Sequence, residues 1–117
     1  MADQTIFDMT RLLEATCDDR ELAAQVVGGG LADIPVQLAD LDQAIAAGDA
    51  KTAERVAHSI KGAAATVGGE ALRAIAFECE QLSRDGRLDE LGGKVADLRG
   101  RYQALDDALR KEGFAAE

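Results

Sequence analysis

The run Val56-Ala57-His58-Ser59-Ile60-Lys61-Gly62-Ala63-Ala64-Ala65-Thr66-Val67-Gly68 holds the one histidine of this 117-residue chain. An exposed imidazole is largely neutral at cellular pH, and its free nitrogen is a nucleophile. It can attack a phosphoryl group and hold it as a phosphoramidate. Lys61 and Arg55 would offset the negative charge so gained. On a helix turning about 100° per residue, Lys51, Arg55, Lys61, Gly62 and Ala65 fall within about 60° of His58, and Ile60 falls about 200° away. Glu54 is the one acid on that strip. Gly62, one turn on from the ring, puts no side chain over it. A glycine inside a helix with no packing need points to close approach by another molecule.

The parts that are missing narrow the chemistry. The sequence has no Gly-rich phosphate loop, acidic magnesium pair or second histidine, so it lacks the means to bind ATP or to hydrolyse. It is expected to carry a phosphoryl group without being an enzyme and without a cofactor, with any Mg²⁺ supplied by its partner. The paired Glu-x-x-His ligands of a metal-binding bundle are absent. The competing reading is a solvated histidine on a non-catalytic helical adaptor, which would dock a partner through the same face.

Helices must position that face. Asp18-Asp19-Arg20-Glu21 reads as a helix start, with Asp18 as N-cap and Glu21 completing a capping box. Leu31, Ile34, Leu38, Leu41 and Ile45 then repeat at helical spacing. Gly48 stops that helix and Asp49 caps the next, which buries Ala53, Val56, Ala57, Ile60, Ala64 and Val67 and closes at Gly68-Gly69. A third helix turns Leu72, Ile75, Ala76, Cys79 and Leu82 inward and ends near Gly86. Leu88, Leu91, Val95, Leu98, Tyr102, Leu105 and Leu109 step by threes and fours, as in a bundle seam, up to Arg110, Lys111 and Gly113. The expected fold is all-α: an antiparallel up-down four-helix bundle in one domain over residues 1–117. A short extra N-terminal helix over 5–16 is built on Ile6, Met9, Leu12 and Leu13. Gly28-Gly29-Gly30 and Pro35 conflict with a straight helix, so 19–47 reads as one bent helix or two abutting segments. Gly92-Gly93 weakens the start of the last helix.

Composition limits the partners. Hydrophobic residues are 47% of the chain and aromatics 3%, so Leu, Ile, Val and Ala must build the core. A net charge of −9 argues against nucleic acid or an anionic membrane. The acidity is uneven: residues 50–67 alone are net positive, with three bases against one acid. No apolar run approaches the ~20 residues of a membrane span, and no signal peptide is visible. Cys17 and Cys79 form no CxxC, which suits a reducing cytoplasm. Cys79 lies on the core stripe, and nothing activates Cys17. The Leu88–Leu109 stripe is needed inside, which favours a monomer. Met1 and a frayed Gly-Phe-Ala-Ala-Glu end favour a free-standing chain.

His58-Ser59-Ile60-Lys61-Gly62, with small residues to Ala65 and then Gly68, resembles the signature of histidine phosphotransfer (HPt) domains, H-x-hydrophobic-K-G followed six residues later by Gly. Asp33-Ile34-Pro35 with Leu38, Leu41 and Ala44 looks like the family's second helix, and Cys79-Glu80 and Gly86-Arg87 recur at familiar places. The likeness spans about residues 19–109. It implies a bundle whose His58 accepts a phosphoryl group on Nε2 and exchanges it with the aspartate of response-regulator receiver domains, in a pathway fed by a sensor or hybrid histidine kinase. It also implies that Lys61 stabilises the phosphoryl group and that Gly62 gives access. Glu80, 22 residues after His58, matches a glutamate that bonds the other imidazole nitrogen in chemotaxis-kinase phosphotransfer domains. A carboxylate there would fix the tautomer; the alternative is a solvated glutamate. Arg55, Ala65, Ser83, Arg84 and Arg87 are candidates for the rim of the docking face. The Gly28–Gly30 run departs from the larger apolar residues usual in the family.

Overall fold

Five helices run through the described residues: α1 (Met9–Ala15), α2 (Arg20–Ala46), α3 (Ala50–Thr66), α4 (Glu70–Arg84) and α5 (Leu88–Lys111). The structure, a computed structural model, describes residues 8–114, apart from the side chains of Ala15 and Leu31. Ile6 and the last three residues thus lie outside the described part, as does the packing of Leu31. Helix α2 packs on α3, α3 on α4, α4 on α5, and α5 back on α2, while α1 lies against α2. Ala23, Val27, Ile34, Leu38 and Leu41 from α2 meet Ala57, Ile60 and Ala64 from α3, Leu72, Ile75 and Cys79 from α4, and Leu91, Leu98, Leu105 and Leu109 from α5 in one core.

The local chemistry of each helix end follows from its residues. Asp8, Asp19 and Asp49 cap α1, α2 and α3, each accepting a backbone N–H in the first turn. At α3 the cap is doubled, because Thr52 Oγ1 also donates to Asp49 at 2.7 Å. The α2 cap is Asp19, not Asp18. Cys17 and Asp18 both take left-handed backbone angles, φ 54° and 61°, and this turn moves the helix start one residue on. Glu21 then sits too early for a capping box. Gly68 ends α3 at φ +77°, and a Cβ there would stand 2.5 Å from the carbonyl oxygen of Asp8. The same junction is tied by a 2.8 Å bond from the Asp8 N–H to the Gly68 carbonyl.

Helix α2 is unbroken through Pro35. Proline inside a helix costs about 3 kcal/mol, but it sits on the exposed side, where water can satisfy the carbonyl it cannot bond. Ile34, Leu38 and Leu41 beside it are buried and hold the helix to the core. A Cβ at Gly30 would make ordinary contact with Val67 at 3.4 Å, and Gly28 and Gly29 face open space, so packing does not explain the run. By length and composition alone α2 could cross a membrane, which a search for uninterrupted apolar runs does not detect. Its Ala23, Val27, Ile34, Leu38, Leu41 and Ala44 are instead buried in the bundle. Of the frayed tail expected, only Gly113 and Phe114 fall among the described residues. Phe114 is buried, its N–H bonds the Leu109 carbonyl at 2.8 Å, and Arg20 lies 5.0 Å over its ring.

Candidate functional site

His58 points outward because Ala57, Ile60 and Ala64 occupy the opposite side of α3 and are fully buried. Its side chain is 65% exposed. From the neighbouring helix α4, Glu80 lies under the ring and is itself buried. Its Oε2 is 2.9 Å from His58 Nδ1. Its Oε1 is 2.7 Å from Lys61 Nζ. Arg84, one turn further along α4, reaches Oε2 at 3.6 Å and donates from Nε to Glu54 at 2.9 Å. Two helices are thus cross-linked by one carboxylate with three basic neighbours.

The charge state of Glu80 decides the ring's tautomer. Burial alone would raise its pKa, but the hydrogen bonds and charges of Lys61 and His58 outweigh it and hold the carboxyl below its ordinary value. An ionised carboxylate can only accept, so Nδ1 carries the proton shared with it. In the uncharged form of the ring, the lone pair is then on Nε2, the nitrogen not bonded to the acid. The solvated-glutamate alternative for Glu80 therefore does not describe this side chain.

Two open depressions flank the ring. One is lined by Lys51, Glu54, Arg55, His58, Glu80 and Arg84. The other is lined by Lys61, Gly62, Ala65, Arg73 and Phe77. Gly62 has nothing within 4 Å of where its Cβ would be, so its lack of a side chain serves no contact within the protein. Arg55 and Arg84 thus border the histidine directly, and Ala65 lies on the Lys61 side. Arg87 is exposed but bonds Glu90 at 2.7 Å and lines a separate depression with Phe77. Ser83 does not belong to the rim. It is buried, and its Oγ donates to the Cys79 carbonyl at 2.8 Å, because four residues on from Cys79 it falls on the same inward face.

Spacing on α3 placed Lys61 on the His58 face without showing what it pairs with. Its ammonium sits on Glu80 and lies 5.2 Å from the centre of the Phe77 ring. Phe77 was not among the sequence candidates. Its signal was a large aromatic off the inward stripe of α4 in a chain with few aromatics. The Cys79 thiol is buried, and desolvation pushes its pKa up to about 11, in keeping with a core role. Among the described residues, no group of three His, Cys, Asp or Glu could hold a metal ion.

Comparison with known proteins bears on the family and the fold. The Hpt domain family model matches residues 25–108. Curated proteins yield no match. The fold resembles that of histidine-containing phosphotransfer protein B (HptB) from Pseudomonas aeruginosa PAO1, with a TM-score of 0.85 and 21% sequence identity over 94% of this chain and 96% of that one. With most of its length matched by the family model, and with an exposed histidine held by a buried carboxylate on the bundle surface, the chain belongs to the Hpt domain family, the histidine phosphotransfer modules of phosphorelays.

Proposed function

We propose that this chain is a relay intermediate in which His58 Nε2 takes a phosphoryl group from the aspartyl phosphate of one receiver domain and passes it to another. The Nε2 lone pair would form the N–P bond as the P–O bond of the acyl phosphate breaks and the partner's aspartate leaves as a carboxylate. Nδ1 keeps its proton throughout. The positive charge that the ring gains lies 2.9 Å from the Glu80 carboxylate, which stabilises it without any group having to reorganise. In the return step the N–P bond breaks and the ring leaves neutral. The single observation that carries this reading is that contact: a buried, ionised acid on Nδ1 beneath an imidazole whose other nitrogen is open.

The remaining roles follow from position. Lys61 adds positive charge beside the ring, and Gly62 leaves room for the partner's phosphorylated side chain. Arg55, Ala65, Arg84 and Arg87 rim the docking face. The receiver brings its acidic pocket and Mg²⁺, and a sensor or hybrid histidine kinase charges the pathway. By itself the protein turns over nothing. We infer an antiparallel up-down order for α2 to α5 from their short connections, with the protein acting as a cytoplasmic monomer.

The test is labelling from a radiolabelled phosphoreceiver. Acid-labile, alkali-stable label on the wild type and none on His58→Gln is the expected result. Equal label on both proteins removes His58 from the role. No label from any receiver leaves the adaptor reading, in which the face docks a partner without using the imidazole.

A further inference from the structure

Lys61 is held from two sides, and both holding groups come from successive turns of α4. Glu80 Oε1 takes the ammonium at 2.7 Å, and three residues earlier Phe77 presents its ring at 5.2 Å from the same nitrogen. An ammonium over an aromatic face is attracted by the ring quadrupole. Phe77 is 46% exposed, so the bundle core does not account for its being there. The side chain of Lys61 is only 24% exposed, although it springs from the outer face of α3. Ring, ammonium, carboxylate and imidazole thus form a continuous chain: Phe77, Lys61, Glu80, His58.

We propose that Phe77 is a positioning residue for the phosphotransfer site. Its ring confines the Lys61 ammonium to the Glu80 carboxylate, and through that pair it sets the negative charge presented to His58 Nδ1. Lysine has four rotatable bonds and a strongly hydrated head. Without the ring, its ammonium would exchange Glu80 for water more often. Glu80, buried and deprived of its nearest cation, would then be easier to protonate. The consequence for phosphoryl transfer rests on the function proposed above; the consequence for Glu80 does not.

Three variants decide it: Phe77→Leu, Phe77→Ala and Phe77→Tyr, each checked by thermal melting. Because the ring is half outside, all three should fold. Two readouts are taken, the pH midpoint of the Glu80 carboxyl by ¹³C NMR and the rate of labelling from a phosphoreceiver. Phe77→Leu and Phe77→Ala should raise the Glu80 midpoint and slow labelling about two- to five-fold, the range of an exposed cation–π contact. Phe77→Tyr, which keeps the π face, should restore both. An unmoved Glu80 midpoint in the leucine variant overturns the proposal. So does slowed labelling with an unmoved midpoint, which would mean that the ring touches the partner instead. If the wild type takes no label at all, the relay reading falls, and the Glu80 midpoint still decides the role of Phe77.

Discussion

At the scale of single residues, Glu80 is the pivot, because its charge is maintained against burial by its neighbours. Lys61→Met removes a hydrogen bond and a charge that lower its pKa and leaves the burial that raises it. We therefore expect the Glu80 carboxyl midpoint to move upward in that variant when followed by ¹³C NMR. The pH dependence of stability has a definite sign. A carboxyl with a folded pKa below its unfolded value of about 4.3 contributes stability that is complete above that value and is lost as pH falls through the lower folded pKa. Denaturant melts of wild type and Glu80→Gln should thus differ at neutral pH and converge as the solution is made more acidic than the ordinary carboxylate range. A constant difference would show that Glu80 acts by shape. The cysteines give a second residue-scale expectation. Cys17 is exposed, whereas Cys79 is buried with its pKa up to about 11. A disulfide-exchange reagent should titrate one thiol quickly in the native protein and the second only on unfolding.

At the scale of the helices, a glycine inside α3 and one in the turn after it should behave in opposite ways. Gly62 faces open space, and a helical glycine costs about 1 kcal/mol against alanine. Gly62→Ala should raise stability by about that amount in a thermal melt while slowing labelling, because the new methyl stands where a partner must approach. A variant that is stabilised and labels at the wild-type rate would make Gly62 incidental. Gly68→Ala should lower stability by about 1–3 kcal/mol, since its left-handed backbone and the Asp8 carbonyl 2.5 Å from a Cβ both oppose a side chain. Helix boundaries were legible because aspartate caps and turn glycines act locally. The missed features at this scale were non-local. Pro35 leaves one bent helix and two abutting segments both open until Ile34, Leu38 and Leu41 are seen packed in the core of a single helix. Asp18 reads as a cap until the backbone turn at Cys17 and Asp18 passes that role to Asp19.

For the molecule as a whole, α1 is part of the core, not an appendage. Leu12 is fully buried, Arg11 pairs with Glu70 at 3.3 Å, and Asp8 is bonded to the α3–α4 turn. Leu12→Ala should cost about 2–5 kcal/mol and leave a single cooperative unfolding transition. A melt unchanged by the substitution would show that the bundle stands without it.

What the sequence determined by itself is the part that depends on neighbours along one helix. Periodicity sets which faces are buried, so the outward placement of His58, Lys61 and Gly62 on α3 was readable from spacing, as was the core stripe through Cys79. Similarity of the His58–Gly68 run carried the family. Only the tertiary structure decided what crosses between helices. The 2.9 Å contact of Glu80 with His58, the capture of Lys61 by Glu80 and Phe77, and the burial of Ser83 all depend on the rotation and height at which α4 meets α3. The core packing of the two helices sets that register, and no spacing within either helix contains it. The lone histidine is thus a property of the sequence; the acid that fixes its proton on Nδ1 and leaves Nε2 open is a property of the fold.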